Sequence, residues 1–241
     1  MSEELPLVSL CTPTFNRRRY IPMIIKCIEL QDYPKDNMEW IIVNDGEEEI
    51  EDILNEASKK NNLPKIRYYR YKKDKPIILG EKRNLCNYYA KGDIIVNIDD
   101  DDYYPPERVS HAVNSLIDNP KVYCAGSNVL YNYFKNYEMI GAIGPKSINH
   151  AFTGTLAFKK ELLKITNYNN EDIAVEEFKF LSDLNLPILQ LEPFKTILSL
   201  SHETNTSARY KLAEEKNTCI LEDKKIEDFI KDEYILNLFT Q

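Results

Sequence analysis

Four consecutive aspartates, Asp99 to Asp102, directly follow a run at 93–98 that reads DIIVNI. A run rich in β-branched residues is typical of a buried strand. Carboxylates at the end of such a strand lie at a sheet edge, where α/β proteins bind ligands. Because four adjacent negative charges repel one another, the fold must offset them, and a divalent cation is the usual means. The alternative is an acidic turn before a helix opened by Pro105 and Pro106, which Asp102 could cap.

Composition narrows the class of protein. The chain has 241 residues, 43% of them hydrophobic, which is ordinary for a globular protein. A net charge of −8 argues against a general nucleic-acid binder. The five cysteines are widely spaced without a CxxC pair, which favours a reducing compartment over a zinc site or a disulfide framework. Because neither a signal peptide nor an apolar run of about 20 residues is visible, we expect a protein without a transmembrane segment, located in the cytoplasm.

Strand and helix patterns alternate through the first half of the chain. Apolar runs at 7–11, 39–43, 66–71 and 93–98 predict strands, and segments 18–30, 51–60 and 81–90 predict helices, the first capped by Asn16. Repeated strand–helix–strand units form right-handed crossovers and a mostly parallel sheet. We therefore expect an α/β fold, with a Rossmann-like mixed, mostly parallel sheet flanked by helices in a single domain. Asp45 and the aspartate run would then share one edge of that sheet.

The second half is less regular. Strands are predicted at 123–133, 139–143, 154–158 and 188–191, and a helix at 175–184. Residues 211–241 form a charged amphipathic tail with apolar Ile226, Phe229, Ile230, Tyr234, Ile235 and Phe239. The tail could dock on the body of the domain or on a second subunit, so a homo-oligomer is one expectation.

Missing motifs restrict the chemistry at the sheet edge. The chain has only seven glycines, and it contains no GxGxxG, GxxxxGK[ST] or GxSxG segment. A dinucleotide site, a P-loop and a hydrolase elbow are therefore unsupported. A phosphate-containing ligand bound through Mg²⁺ or Mn²⁺ remains, since these cations bind carboxylates together with substrate phosphates.

Four segments occur in an order found in one known family: VSLCTPTFNR at 8–17, IIVNDG at 41–46, GEKRN at 80–84, and IDDDD at 98–102 followed by Pro106. Together they resemble the family-2 glycosyltransferases of the GT-A fold, over roughly residues 5–210. The resemblance implies a nucleotide-binding half at about 5–125 and an acceptor half at about 126–210. The Lys- and Asn-rich style also resembles glycosyltransferases of large DNA viruses, which would place the protein in the host cytoplasm or the virion.

The resemblance implies transfer of a hexosyl or N-acetylhexosaminyl group from a nucleotide-diphosphate sugar, UDP-linked, to a glycan or other hydroxyl acceptor. Inversion and dependence on Mn²⁺ or Mg²⁺ are part of that implication. Asp45 would read the uracil, and Asp101 would bind the metal with His202. Asp99 or Asp100 would contact ribose or a metal-bound water, with the register open by one residue. The implied nucleotide-binding residues are Thr12, Pro13, Thr14, Asn16, Arg17, Asp45, Arg83, Asp99 and Asp100.

The catalytic base is expected in the second half of the chain. Inverting members of the family carry a Glu-Asp pair at the start of a helix, and Glu176-Glu177 resembles it with glutamate in the second place. Glu177 is therefore the implied base, and Asp172, in a literal Glu-Asp pair, is its rival. Acids in a first helical turn also suit the helix dipole without catalysis. The implied sugar or acceptor pocket contains Gly154, Thr155 and Glu176, with His150 a weaker candidate.

Other functions remain open at this stage. A sugar-phosphate nucleotidylyltransferase shares the sheet and the metal, but it needs a glycine-rich loop where this chain has Thr12-Pro13-Thr14-Phe15. A metal-dependent phosphohydrolase normally adds histidines, and this chain has three. A nucleotide-sugar-binding module without transfer activity predicts binding without turnover, and the glutamate at the base position keeps it open.

Overall fold

The computed structural model describes residues 4–60, 62–72, 75–182, 187–202, 205 and 218–240. Its strands are β1 (Val8–Thr14), β2 (Met38–Asn44), β3 (Lys65–Arg70), β4 (Ile94–Asn97), β5 (Cys124–Gly126), β6 (Leu130–Phe134), β7 (Met139–Ile143), β8 (Ala157–Lys159), β9 (Ile188–Gln190), β10 (Leu198–Ser201) and β11 (Thr218–Ile220). Its α-helices are α1 (Ile21–Glu29), α2 (Glu51–Ser58), α3 (Leu79–Tyr89), α4 (Arg108–Asp118), α5 (Glu177–Ser182), α6 (Ile226–Phe229) and α7 (Glu233–Thr240).

Seven strands form the main sheet in the order β3-β2-β1-β4-β8-β5-β9. Strands β1 to β4 are parallel to one another, whereas β8 is antiparallel to both β4 and β5. Val8 pairs with Met38 on one side and with Ile94 on the other. The carboxyl ends of β1, β2 and β4 therefore meet at one edge. The expected mixed, mostly parallel sheet is confirmed.

The central strands are buried on both faces, as expected for parallel strands covered by helices. Successive side chains of a strand point to opposite faces, so β2 contributes to two separate clusters of the core. Trp40 and Ile42 pack on one face, and Ile41 and Val43 pack on the other. This double burial explains why β2 reads as a continuous apolar run in the sequence.

A second sheet has the order β10-β6-β7-β11. Strand β11 belongs to the C-terminal tail and pairs antiparallel with β7. Helix α7 contacts α1 and buries Ile235 and Phe239, and the Phe229 ring lies 4.9 Å from that of Phe194. The described part of the tail thus packs on the body of the same domain, while residues 211–217 lie outside the described residues. A subunit interface through the tail stays a prediction.

Two local predictions differ from the structure. Asn16 does not cap α1; it has a φ of +52°, and its side-chain oxygen accepts hydrogen bonds from the backbone N–H groups of Glu47 and Glu48. The predicted strand 123–133 is two strands in different sheets. Ser127 breaks it because its hydroxyl donates to the carbonyl of Val129, two residues along, and so bends the chain.

The longest described helices, α3 and α4, have 11 residues each. Crossing a bilayer takes about 20 residues. In the described ranges, therefore, no helix is long and apolar enough to span a membrane.

Candidate active site

The edge where β1, β2 and β4 end opens into a cleft of about 1540 Å³. From the first half of the chain, the wall includes the end of β1, the residues after β4 and the first turns of α3. From the second half, it includes the loop 146–153 and the start of α5. Binding pockets for single small ligands are commonly about 300–1,000 Å³. This cleft therefore has room for a donor and part of a second substrate.

Asp101 is surrounded by polar side chains. Its Oδ2 lies 3.0 Å from Nε2 of His202, 3.3 Å from Nδ2 of Asn205 and 3.6 Å from a guanidinium nitrogen of Arg17. The His202 ring in turn stacks on Tyr20, with 5.1 Å between the ring centroids. The structure thus brings together the two residues that the resemblance assigns to the metal.

Asp102 has a structural partner instead. Its Oδ1 accepts a hydrogen bond of 2.8 Å from the backbone N–H of Leu200 in β10, and the residue is buried. Helix α4 begins only at Arg108, so Asp102 does not cap it. The capping interpretation is wrong, because the chain turns toward the second sheet before the helix begins.

Asp100 is buried beside the cleft. Burial, and then the negative charge of Asp101, raise the pKa of the Asp100 carboxyl well above its usual value. Within the described part of the chain, its buried Oδ2 has no hydrogen-bond partner.

These residues can be tested against the divalent cation that the resemblance implies. Across the described ranges, no group of three or more His, Cys, Asp or Glu side chains is arranged to hold a metal ion. Asp101 and His202 supply one carboxylate and one imidazole, a donor set that suits Mn²⁺. Cations at nucleotide sites often take only one or two protein ligands, with phosphates and water completing the shell. Together with the unsatisfied oxygen of Asp100, the pair fits such a partial ligand set.

Arg83 connects the aspartate run to the start of α5. One terminal nitrogen donates to Oδ1 of Asp99 at 2.8 Å, and Nε donates to Oε1 of Glu176 at 2.5 Å. Burial alone would lower the pKa of Arg83, but the two carboxylates outweigh it and raise this pKa well above its usual value. Its other terminal nitrogen is buried and has no hydrogen-bond partner among the described residues, although Arg83 lines the cleft. Arg83 therefore brings a permanent positive charge to the cleft.

Asp45 lies behind the cleft wall. Its carboxylate has no exposed surface and forms an ion pair with Lys82, while its other oxygen accepts from the backbone N–H of Ile77. Lys82 also donates to the carbonyl of Thr14 at 3.2 Å, and it lines the cleft where Asp45 does not. Sequence reasoning chose Arg83 from GEKRN and missed Lys82, although the same segment contains it.

The residues at the end of β1 and just after it divide into those that line the cleft and those that support it. Pro13, Thr14, Asn16 and Arg17 line the cleft. Thr12 does not reach it, because its buried hydroxyl accepts a hydrogen bond of 2.9 Å from the indole N–H of Trp40.

Glu177 and Asp172 occupy different environments. Glu177 is the first residue of α5, lines the cleft and accepts a hydrogen bond of 2.6 Å from the hydroxyl of Thr153. Asp172 lies outside the cleft wall, and its carboxylate accepts from the side-chain amide of Asn169 at 2.9 Å. Val175, two residues before Glu177, has a φ of +60°, a conformation that β-branched residues rarely adopt and that is typically strained.

Gly154 and Thr155 support the cleft rather than line it. The Thr155 hydroxyl is buried, donating to the carbonyl of Phe152 at 2.6 Å and accepting from the N–H of Ser127 at 2.8 Å. A Cβ on Gly154 would lie 3.0 Å from Oδ2 of Asp99, so a side chain there would crowd that carboxylate. Their placement in a sugar or acceptor pocket therefore does not match the structure.

Two histidines and one asparagine differ in whether they line the cleft. His150 lines the cleft, whereas Nε2 of His111 accepts a hydrogen bond from the N–H of Glu192 away from it. Asn205 is a cleft residue that sequence reasoning missed, and it also donates to the carbonyl of Leu200. A single asparagine in a polar loop carries no signal of its own, so only the fold could reveal it.

The chain is similar in sequence to known proteins. Residues 9–171 match the family model described as glycosyl transferase family 2. EpsH of Bacillus subtilis (strain 168), named as a glycosyltransferase, is 31% identical over 140 residues, which cover 57% of this chain and 37% of EpsH. The poly(ribitol-phosphate) beta-N-acetylglucosaminyltransferase TarS of Staphylococcus aureus (strain Mu50 / ATCC 700699) is 29% identical over 105 residues, 43% of this chain and 18% of TarS. The chain thus spans well under half the length of these relatives.

Solved structures show the same fold. TarS 1–349 of S. aureus, in complex with UDP-GlcNAc, has a TM-score of 0.60 at 20% identity over 83% of this chain and 60% of that one. The mannosyltransferase PcManGT from Pyrobaculum calidifontis, in complex with GDP-Man and Mn²⁺, has a TM-score of 0.65 at 16% identity over 85% of this chain and 59% of that one. The GT-A fold is confirmed, while the resemblance to viral enzymes stays a prediction.

The family match covers more than half of the chain and includes the strands, Arg83 and the aspartate run that form the cleft. This protein belongs to glycosyl transferase family 2.

Proposed function

We propose that this chain transfers a hexosyl or N-acetylhexosaminyl group from a UDP-linked donor to an acceptor hydroxyl, with inversion at the anomeric carbon and with Mn²⁺ or Mg²⁺. One observation carries the proposal. Glu177 and Asp101 line a single cleft, His202 contacts Asp101, and Arg83 links the two acids through its contacts with Glu176 and Asp99. A base for the acceptor and a charged site for a diphosphate are the two parts that this reaction requires.

The donor site lies at the carboxyl ends of β1, β2 and β4. Support for a nucleotide sugar comes from TarS and PcManGT, whose structures hold UDP-GlcNAc and GDP-Man. In this chain, Arg17, Lys82 and Arg83 line that part of the cleft, each held by a carboxylate, so their charged donors are positioned where a diphosphate would lie. For Asp45 to read the uracil, its carboxylate, which has no exposed surface here, would have to leave Lys82.

Glu177 is the proposed base. It removes the proton from the acceptor hydroxyl as the hydroxyl oxygen attacks the anomeric carbon opposite the leaving diphosphate, which inverts the configuration. The hydrogen bond from Thr153 orients the Glu177 carboxylate. Because Asp172 lies outside the cleft wall, it is the weaker candidate for this step.

The leaving diphosphate accumulates negative charge as the bond breaks. Asp101 and His202 would hold the cation. A bound cation would neutralise the negative charge on the diphosphate. Arg83 keeps its own positive charge nearby, because Asp99 and Glu176 hold it protonated and fixed in position. A charge placed in advance costs no reorganisation as the reaction proceeds.

Separate replacement of Glu177 by glutamine and of Asp172 by asparagine tests which residue is the catalytic base. Glu177→Gln should bind UDP and the donor as the wild type does, yet lose transfer by about 100-fold or more, the usual range for a general base. Asp172→Asn is the matched control and should transfer normally. Normal transfer by Glu177→Gln with loss in Asp172→Asn would make Asp172 the base. A wild type that binds UDP-sugars but turns none over in a donor and acceptor panel would instead be a binding module.

We propose a cytoplasmic location, which the cysteines support. All five are free thiols, and four of them are buried in the core: Cys11, Cys27, Cys86 and Cys124. Free thiols are typical of reducing compartments. We place the protein in the cytoplasm on this basis, and fractionation with a tagged full chain would test it.

A further inference from the structure

Tyr168 lies behind the cleft wall, before the segment that carries Glu177 in the chain, and it is buried. Its hydroxyl accepts a hydrogen bond of 2.9 Å from Nδ2 of Asn97, the last residue of β4. Its ring stacks on that of Phe180 in α5, with 4.5 Å between the ring centroids. One buried side chain therefore contacts both the sheet edge and the helix that begins with Glu177.

A path of hydrogen bonds runs from the Tyr168 hydroxyl to Glu177. Nδ2 of Asn97, which donates to this hydroxyl, also donates to the carbonyl of Thr153 at 3.0 Å. The Thr153 hydroxyl in turn donates to Oε2 of Glu177 at 2.6 Å. Asn97 and Thr153 are buried, and hydrogen bonds are electrostatically stronger in such surroundings than in water. The Glu177 carboxylate is thus held at the end of a path that begins at Tyr168.

The Tyr168 ring makes a second connection to the same helix. Phe180 lies three residues after Glu177, so the two side chains are neighbours along α5. Helix α5 has only six residues, and a helix shorter than about 12 residues depends on tertiary contacts. The buried Phe180 supplies them through its ring on Tyr168 and through its carbonyl, which accepts a hydrogen bond of 3.0 Å from the Thr166 hydroxyl. Packing on Tyr168 therefore helps to set the direction of the first turn of α5.

The donor side of the cleft holds Tyr168 itself. The side-chain amide of Asn84 in α3 donates to the Tyr168 carbonyl at 2.7 Å and accepts from the Tyr168 N–H at 3.0 Å. The guanidinium of Arg83, which lines the cleft, lies 6.0 Å from the centroid of the Tyr168 ring. Two hydrogen bonds to one amide fix the backbone of Tyr168 against α3. Tyr168 thus connects α3, on the donor side, to the start of α5.

We propose that Tyr168 is a positioning residue for Glu177. Its hydroxyl acts through Asn97 and Thr153, and its ring acts through Phe180. A base must lie within hydrogen-bond reach of the proton it removes, and a misplacement of about 1 Å can cost roughly 100-fold in rate. This inference rests on the proposed function, because it takes Glu177 as the base. Tyr168 then influences the chemical step from behind the cleft wall.

Steady-state kinetics of the full chain test the proposal. The probe is the fastest substrate among UDP-glucose, UDP-galactose and UDP-GlcNAc, with Mn²⁺ present and with water in place of the acceptor, so that Glu177 takes its proton from water. Tyr168→Phe removes the hydroxyl and keeps the ring, so kcat should fall about 10-fold while KM for the UDP-sugar changes by less than about 2-fold.

Tyr33→Phe is the matched control for this change. Tyr33 is buried as well, and its hydroxyl donates to the carbonyl of Pro6 at 2.7 Å, just before β1 begins. Because Tyr33→Phe also removes one hydrogen bond from a buried tyrosine, it should lower Tm as Tyr168→Phe does. It should nevertheless keep the wild-type kcat, since its hydroxyl holds the opposite end of β1.

A double-variant cycle separates positioning from a general loss of stability. Thr153→Val breaks the path next to Glu177 and should lower kcat by about 10-fold or more. Tyr168→Phe added to Thr153→Val should then lower kcat no further. Thr153→Val also tests the path if Tyr168→Phe does not fold. Wild-type kcat in Tyr168→Phe or in Thr153→Val, additive losses in the double variant, or an equal loss of kcat in Tyr33→Phe would overturn the proposal.

Failure of the proposed base gives a different result. If Glu177 is not the base, Glu177→Gln hydrolyses the UDP-sugar as the wild type does, and both the base and its positioning residue are overturned. Loss of hydrolysis in Glu177→Gln together with wild-type kcat in Tyr168→Phe overturns the role of Tyr168 alone.

Discussion

Oδ2 of Asp101 lies 3.0 Å from Nε2 of His202, although the two residues are 101 positions apart in the chain. The contact joins the loop after β4 in the main sheet to the end of β10 in the second sheet. Near this contact, the backbones of Tyr103 and Leu198 form two hydrogen bonds that join the same two parts of the fold. The Asp101–His202 pair is therefore positioned by the junction of the two sheets.

Exchange of Asp101 for asparagine should abolish the stabilisation that UDP and Mn²⁺ give together. A ligand at 100 times its Kd stabilises the native state by about 2.7 kcal/mol, or roughly 5–10 °C in Tm for a chain of this size. Differential scanning fluorimetry with UDP, Mn²⁺, both and neither measures the shift. Asp118→Asn, an exposed residue of α4, is the control and should keep the full shift. An unchanged shift in Asp101→Asn would refute the metal assignment.

Exchange of Arg83 for methionine should destabilise the fold by about 3–5 kcal/mol, since it leaves the buried Glu176 and the partly buried Asp99 without their counter-charge. Urea unfolding measures the loss. Arg18→Met is the matched control, because its ion pair with Asp52 is exposed to solvent and should contribute little to stability. Similar losses of stability in the two variants would show that the ion pairs of Arg83 stabilise the fold no more than the exposed ion pair of Arg18 does.

Tyr20 should act on the cation through His202. Its ring stacks on the imidazole, and the guanidinium of Arg19 donates to its hydroxyl. Aromatic pairs contribute about 0.5–1.5 kcal/mol, so Tyr20→Leu should weaken Mn²⁺ binding in the presence of UDP by about 2- to 10-fold. Tyr20→Phe keeps the stack and should bind Mn²⁺ as the wild type does. Calorimetric titration decides, and equal affinity in Tyr20→Leu would remove Tyr20 from the site.

Glu39 should make stability depend on pH. Burial alone would raise its pKa, but the Ser9 hydroxyl, the Lys91 N–H and the Arg67 guanidinium outweigh burial and lower the pKa of Glu39 below its ordinary 4.5. The unfolded chain therefore binds the proton more readily than the folded protein. The stabilisation is complete above about pH 4.5 and is lost as the pH falls through the folded pKa.

Glu39→Gln should accordingly lose about 1–3 kcal/mol at pH 7 by urea unfolding, because its buried donors lose a charged acceptor. The difference from wild type should shrink as the pH falls below about 4.5. The exposed Glu56→Gln should follow the wild type at every pH. A difference that stays constant with pH would show that the charge of Glu39 is not the stabilising feature.

Much of the fold is predictable from local pattern. The apolar runs of β1, β2 and β4 and the periodicity of α2 and α3 report burial directly, because burial on both faces or on one stripe selects the residue types. Short strands were less predictable. Residues 123–133 carry one apolar pattern, but they enter two sheets. The hydrogen bond from the Ser127 hydroxyl to the carbonyl of Val129, two residues along, bends the chain between them.

The sequence by itself determined that acids end two parallel strands and that they share one edge of the sheet. Only the tertiary structure decided the different surroundings of the four aspartates: Asp99 pairs with Arg83, Asp100 is buried with a raised pKa, Asp101 meets His202, and Asp102 binds the backbone of Leu200. Sequence spacing reports which residues share a strand or a helix face. Sequence spacing does not predict contacts between residues that are far apart in the chain. Single side chains such as Lys82 and Asn205 join the site through contacts of that kind.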